Sequence, residues 1–142
     1  MESLKLKHVA MQKALATLQE VLESINVLTQ CGVGLNVVRD SIIKRFEYCI
    51  DSLWKFLKIY LEEVQKIDVK LAAPREVLRL SLQNNVITTA EYEILIYAVT
   101  DRNLTSHTYN EDLANKISSQ VPLYFATMKT IVDRLYIDEC SN

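Results

Sequence analysis

Residues 102–109 bring together side chains that could act on a phosphodiester. They include Arg102, His107 and Tyr109, with Asn103 directly after the arginine. An arginine presents a planar fork of N–H donors that fits a phosphate, and a histidine that titrates near neutrality can accept the proton of an attacking hydroxyl. These residue types in one short segment indicate phosphodiester cleavage.

The spacing alone leaves a simpler interpretation open, in which Arg102 caps a helix or pairs with a carboxylate. It also sets a geometric condition. Positions five apart on a straight helix are separated by roughly 140° around its axis, so Arg102 and His107 would not share a face. Thr105 and Ser106 can hydrogen-bond to the backbone in a loop. We therefore expect either that the helix breaks between Arg102 and His107 or that two copies of the chain meet there.

The pattern of Arg102, His107 and Tyr109 resembles the signature of HEPN domains that are paired with minimal nucleotidyltransferases. Two other regions extend the resemblance. Residues 39–49 and 54–61 look like the second helix of the proteins called nucleotidyltransferase substrate-binding proteins, and residues 73–77 match the start of their short third helix. The resemblance therefore covers most of the chain.

This resemblance implies a metal-independent endoribonuclease that acts on RNA, either tRNA or mRNA, without a cofactor. His107 would assist attack of the ribose 2′-hydroxyl on the adjacent phosphate, and Arg102 would stabilise the charge that develops there. Asn103 would hydrogen-bond the phosphate, although it fits a helix C-cap equally well. Glu47 is an acidic position that some HEPN families use near the active groove, so it is a secondary site residue. A solvated or salt-bridged glutamate is an equally good interpretation.

The resemblance also implies partners. A minimal nucleotidyltransferase would act as the antitoxin by transferring AMP to Tyr109, and the added charge and bulk beside Arg102 would block an RNA phosphate. Two protomers would form a two-fold homodimer whose arginines and histidines line a common groove. The only support for a homodimer in the sequence itself is a surplus of apolar residues, such as Trp54, Phe56 and Tyr97. A second hypothesis is a non-catalytic subunit that binds a nucleotidyltransferase and presents or selects its substrate.

Composition narrows the class of protein. The chain has 142 residues, 49% of them hydrophobic, and only two glycines, which fits one compact domain spanning residues 1–142 and argues against a multi-stranded sheet. The formal net charge is -2, so no global basic field attracts nucleic acid, and an RNA contact must come from a local patch. The charge slightly favours the non-catalytic hypothesis.

The cysteines, at positions 31, 49 and 140, are too scattered for a disulfide framework or a zinc site. No carboxylates are spaced for a divalent ion, so no metal site is predicted. No apolar run is long enough for a signal peptide or a membrane span. We therefore expect a cytoplasmic protein without a membrane contact.

Apolar residues recur at spacings of three and four along most of the chain, which predicts amphipathic helices. A first helix should end before Gly32, and a second should extend to Val64. Pro74 should begin a short third helix that Asn84 and Asn85 end, Thr88 and Glu91 should form a capping box for a fourth, and Asn110 should cap a last helix kinked at Pro122. The pattern predicts an all-α fold, an antiparallel bundle of four to five helices.

Four finer predictions concern single side chains. Asp51 and Lys55 are spaced to form an i,i+4 ion pair on the wet side of the second helix. Tyr48 and Trp54 are interpreted as packing residues rather than as platforms for base stacking. His8 is expected at the surface, and Cys49 in the core.

Overall fold

A computed structural model describes residues 2–105 and 110–135, which contain helices and no strand. The helices within these ranges are α1 (Glu2–Glu23), α2 (Ile25–Gln30), α3 (Leu35–Glu63), α4 (Pro74–Gln83), α5 (Thr89–Thr105) and α6 (Glu111–Arg134). The all-α prediction is confirmed. None of these helices is both long enough and apolar enough to cross a membrane.

The first predicted helix is divided at Ser24 into α1 and α2, so the described residues contain six helices instead of four or five. Ser24 departs from helical geometry, with φ -97° and ψ 2°, and its side chain caps neither segment. Its backbone N–H is shared between the carbonyls of Glu20 and Val21, each at 3.1 Å. Bifurcated bonds of this kind are typical of helix ends. Apolar periodicity does not reveal such a break, because the spacing continues across it.

The predicted beginnings of the later helices are confirmed. Pro74 occupies the first turn of α4, where its missing N–H is no loss. The Thr88 N–H donates to Glu91 and the Glu91 N–H donates to the Thr88 hydroxyl, which is a complete capping box at the start of α5. The Asn110 side chain accepts a hydrogen bond from the N–H of Leu113 and so caps α6.

The ends of two helices also follow the sequence. Asn85 has a φ of 59° just after α4, and asparagine tolerates this left-handed conformation better than most residues. Gly32, with φ 89°, lies in the loop that leads into α3. Pro122 lies inside α6, which continues as one helix on both sides of it.

Helix α3 is the centre of the bundle, since it contacts every other helix of the described chain. Side-chain contacts give the directions. Ser3 near the start of α1 bonds Glu63 at the end of α3, so these helices are antiparallel. Arg39 near the start of α3 bonds Asn115 near the start of α6, so this pair is parallel. Helix α5 is antiparallel to α6 and presents its C-terminal end to the middle of α3.

The core consists of apolar side chains from all the helices except α2, and the largest fully buried ones are Phe46, Phe56, Leu4, Met11, Leu18, Ile50, Leu53, Leu57, Leu61, Leu78, Leu95 and Ile117. Cys49 is buried as predicted. Phe56 is fully buried and is therefore not available to a partner, which corrects the prediction that it is surplus.

The prediction that His8 lies at the surface is wrong. The residue is 4% exposed, its Nε2 lies 3.2 Å from the carbonyl oxygen of Val132, and its ring is tilted against Phe56 with centroids 5.4 Å apart. It joins α1 to the end of α6. A polar ring on an apolar helical stripe can be buried when a backbone acceptor faces it, and that acceptor comes from another helix.

Candidate functional site

Arg102 lies in the last turn of α5 and reaches across to α3. Its Nε donates to Asp51 Oδ1 at 3.3 Å and its Nη2 donates to Asp51 Oδ2 at 3.2 Å, so the two side chains meet as a fork on a fork. Its Nη1 lies 3.1 Å from Glu47 Oε2. Glu47 and Asp51 are four positions apart, which places both carboxylates on the same face of α3.

The surroundings of Arg102 are half-buried. The side chain of Arg102 is 25% exposed, that of Glu47 is 19% exposed and that of Asp51 is 39% exposed. Hydrogen bonding to Asp51 is the main reason why the pKa of Arg102 is raised above its ordinary value, and burial opposes that effect. The guanidinium therefore carries a permanent charge. By formal charges the three side chains sum to -1.

A second contact fixes the same end of α5. The Tyr124 hydroxyl on α6 donates to Asp101 Oδ2 at 2.5 Å, and the Tyr124 ring stacks on Phe46 of α3 with centroids 5.3 Å apart. Burial, aided by the hydrogen bond with Asp101, raises the pKa of the Tyr124 hydroxyl. The contacts of Asp101 and Arg102 thus join α5 to α6 and α3, so the backbone that carries Arg102 is restrained.

The other predicted site residues have different positions. Asn103 lies inside α5, is exposed, and its side-chain amide bonds no other described residue. The helix continues two residues beyond it, so the C-cap interpretation is wrong. His107 and Tyr109, the proposed base and the proposed modification site, lie outside the described residues.

The predicted ion pair between Asp51 and Lys55 is replaced by the pair of Asp51 with Arg102. The Lys55 ammonium instead lies 5.9 Å from the centroid of the Trp54 ring. Glu47 was therefore predicted from the sequence as a residue of this site, whereas Asp51 was not. One signal was present, because two carboxylates four apart on one helix face repel each other unless a cation lies between them.

The interpretation of Trp54 and Tyr48 as packing residues holds for only one of them. Trp54 is partly buried and packs against the core, whereas Tyr48 is 60% exposed. A tyrosine on a mostly apolar helix can still face solvent, since its position around the axis decides its exposure. The described part of the chain contains no group of three or more His, Cys, Asp or Glu residues that could hold a metal ion.

The sequence of residues 6–137 matches the family model described as nucleotidyltransferase substrate binding protein like. The chain belongs to this family. No match was found among curated proteins.

Solved structures share the fold of this chain. A protein from Thermus thermophilus is 36% identical, with a TM-score of 0.75 over 89% of this chain and 99% of its own. A chain of the complex between the tri-AMPylated Shewanella oneidensis HEPN toxin and its MNT antitoxin is 19% identical, with a TM-score of 0.71 over 92% of this chain and 93% of its own. A chain of the MntA–HpeT toxin–antitoxin complex, also 19% identical, has a TM-score of 0.73 over 94% of this chain and 96% of its own. At this identity the last two show a common fold.

Proposed function

We propose that this chain is a HEPN-type toxin, a metal-independent endoribonuclease in which Arg102, Asn103 and His107 act on an RNA phosphodiester. The observation that carries the proposal is the position of Arg102. Its permanently charged guanidinium is partly exposed, is held by two carboxylates of α3, and lies five positions before His107 in the sequence. Bidentate pairing orients a guanidinium, and a fixed cation can stabilise the charge that develops in a transition state.

In the proposed reaction His107 accepts the proton of the ribose 2′-hydroxyl as that oxygen bonds to the adjacent phosphorus. The bond from phosphorus to the 5′-oxygen breaks, and the leaving oxygen takes a proton from solvent. Arg102 offsets the extra negative charge on the phosphorus centre, and the exposed amide of Asn103 donates to a phosphate oxygen. The products are a 2′,3′-cyclic phosphate and a 5′-hydroxyl.

Tyr109 is the proposed point of control. We infer that a partner nucleotidyltransferase, acting as antitoxin, transfers AMP to its hydroxyl. The S. oneidensis HEPN toxin of the same fold is tri-AMPylated in complex with its MNT antitoxin. A phosphate on Tyr109 would compete with RNA for the cation of Arg102, seven positions earlier. Incubation with the partner and ATP should add AMP to the native chain and none to Tyr109→Phe, as read by intact mass.

A homodimer is part of the same proposal. Tyr97 and Leu104 are 69% and 42% exposed on α5, and they flank Asp101 on one face of that helix. This apolar edge adjoins Arg102, so a second copy packed there would place two sites side by side. Light scattering should give twice the chain mass for the native protein and a lower mass when Tyr97 and Leu104 are both changed to serine.

The test of the nuclease is cleavage of total tRNA in the presence of EDTA. Native protein should produce fragments ending in 2′,3′-cyclic phosphate, while His107→Ala and Arg102→Ala should produce none. Arg75→Ala is a matched control, because Arg75 is an exposed arginine on α4 whose one described hydrogen bond goes to Thr100 of α5. It should cleave like the native chain. Equal cleavage by the native and His107→Ala proteins would refute the assignment.

A second candidate function is a non-catalytic subunit that binds a nucleotidyltransferase and presents its substrate. One observation favours it, since Arg102 faces two carboxylates and the three formal charges sum to -1, which repels a phosphate. Under this hypothesis the native chain without AMP on Tyr109 would not cleave RNA in EDTA, and His107→Ala would still bind the nucleotidyltransferase.

A further inference from the structure

Helices α1 and α3 border an open cleft of about 440 Å³ whose lining residues are Thr17, Ser41, Lys44, Arg45 and Tyr48. We call it the Tyr48 cleft. It combines two cations, two aliphatic hydroxyl groups and an exposed phenol ring in a chain whose net charge is negative. The Arg102 site does not include any of these residues.

The cations of the Tyr48 cleft make no ion pair within the described part of the chain. No carboxylate of the described residues lies within ion-pair distance of Lys44 or Arg45. Arg45 donates from Nε to the Ser41 hydroxyl at 3.3 Å and from Nη1 to the Thr17 carbonyl at 3.0 Å. These bonds hold the guanidinium in place, and its Nη2 donors have no partner among the described residues. A guanidinium that is held by uncharged acceptors and lies in the same cleft as an ammonium is suited to bind a phosphate.

Tyr48 supplies a different kind of contact. It is 60% exposed, and the Lys44 ammonium lies 5.3 Å from its ring centroid. Residues 44 and 48 are four apart on α3, so the ammonium and the ring face the same side. An exposed ring next to a cation can stack a base while the cation contacts the neighbouring phosphate.

The Tyr48 cleft lies close to the Arg102 site along α3. Tyr48 precedes Asp51 by three residues on α3, which is about 4.5 Å along the helix axis. Asp51 holds Arg102, so a strand stacked on Tyr48 can continue toward Arg102. On the opposite side, the groove that shares Ser41 and Arg45 contains the acidic residue Glu20, which opposes a phosphate there.

We propose that the Tyr48 cleft binds one nucleotide of a single-stranded RNA, with its base on Tyr48 and its phosphate between Lys44 and Arg45. The inference rests on the proposed action on RNA. It adds that the RNA strand runs from Tyr48 toward Arg102. Stacking on an aromatic ring is indifferent to base identity, so the cleft should bind unpaired RNA with little sequence preference.

Binding is measured by fluorescence anisotropy with a short single-stranded RNA that carries 2′-O-methyl groups and resists cleavage. Tyr48→Ala should weaken binding roughly tenfold, and Tyr48→Phe should bind like the native chain because it keeps the ring. Lys44→Ala should weaken binding and reduce the slope of log K against log salt by roughly 0.7, the value for one phosphate contact to a single strand. Lys116→Ala, which removes an exposed lysine of α6 that does not line the cleft, should change neither.

Three outcomes would overturn the inference. RNA binding that Tyr48→Ala and Lys44→Ala leave unchanged would place the RNA elsewhere. Competition by ATP or AMP as strong as competition by the oligonucleotide would assign the cleft to a free nucleotide. Loss of the homodimer or of nucleotidyltransferase binding in Tyr48→Ala would assign it to a protein partner.

Cleavage of unmodified RNA separates this inference from the proposed function. If the native chain cleaves and Tyr48→Ala cleaves with an unchanged KM, the nuclease stands and the cleft fails. If the native chain does not cleave but binds the resistant RNA through Tyr48, the cleft stands and the nuclease fails. Tyr48→Ala should leave unfolding by urea nearly unchanged, because the side chain is exposed.

Discussion

Replacing Arg102 by alanine should destabilise the fold more than replacing Asp51, because Arg102 is shared by two carboxylates. The hydrogen bonds with Asp51 measure 3.2 and 3.3 Å, longer than the roughly 2.7–2.9 Å of the strongest charged pairs. The pair is also partly solvated. Exposed ion pairs contribute roughly 0.2–1 kcal/mol and hydrogen bonds to charged groups roughly 1.5–3 kcal/mol, so we expect a coupling of about 1 kcal/mol between the two side chains.

The free energies of unfolding of the two single variants should differ by about 1 kcal/mol. Asp51→Ala loses one pair and leaves Arg102 with Glu47, so its free energy of unfolding should fall by about 1 kcal/mol. Arg102→Ala also loses the contact with Glu47, and it leaves two carboxylates four positions apart, a repulsion of roughly 0.2–0.5 kcal/mol. Its free energy of unfolding should therefore fall by about 2 kcal/mol.

The measurement is urea unfolding at pH 7, followed by far-ultraviolet circular dichroism, for the native chain, both single variants and the double variant. Arg75→Ala serves as the control and should lie within about 0.5 kcal/mol of native, since the one described hydrogen bond of Arg75, to the Thr100 hydroxyl, is exposed to solvent and pairs no opposite charge. A coupling energy indistinguishable from zero, or an Arg102→Ala variant no less stable than Asp51→Ala, would refute the geometry described for this cluster. The same variants show whether a loss of cleavage reflects chemistry or folding.

Three further predictions test other parts of the structure. Hydrogen bonding to Arg134 of α6 lowers the pKa of Glu91. The ionised Glu91 therefore stabilises the fold at pH values above the unfolded pKa of about 4.3, and this stabilisation is lost as the pH falls through the folded pKa. Glu91→Gln should therefore be clearly less stable than native at pH 7, and the gap in urea unfolding should narrow in acid; a constant gap would contradict this. In a Cys140→Ser chain at neutral pH, a thiol reagent should label exposed Cys31 and not buried Cys49. Burial raises the pKa of the Cys49 thiol to about 12, so little reactive thiolate forms there. Equal labelling of the two cysteines, read by peptide mass, would contradict that burial. Asn110→Ala should lower the urea midpoint through a loss of about 1 kcal/mol as α6 loses its cap, and an unchanged midpoint would argue against the cap.

The sequence predicted most helix boundaries because local chemistry sets them. Pro74 can only begin a helix comfortably, Thr88 and Glu91 satisfy each other's backbone groups within one turn, and Asn110 caps the helix that follows. Each of these devices uses residues at most three positions apart. The break at Ser24 has no such device, since the shared backbone bond leaves no mark in residue types.

Arg102 and Asn103 were also prominent in the sequence, because the chain resembles nucleotidyltransferase substrate-binding proteins, and it belongs to that family. The order of residues could not predict that Asp51 pairs with Arg102, because the partner of a surface carboxylate depends on which helix packs beside it. His8 illustrates the same point, since the acceptor that allows its burial lies on a helix more than a hundred positions away.

The amino-acid sequence by itself thus determined the all-α class, the beginnings of α4, α5 and α6, and the segment in which chemistry is expected. Hydrophobic periodicity and capping act over one or two helical turns, so they can be read directly from the order of residues. Only the tertiary structure decided that Arg102 lies between Glu47 and Asp51 and that Tyr48 is exposed beside the ammonium of Lys44. Those properties depend on how α1, α3 and α5 are oriented around their axes, which is set by the packing of the whole core.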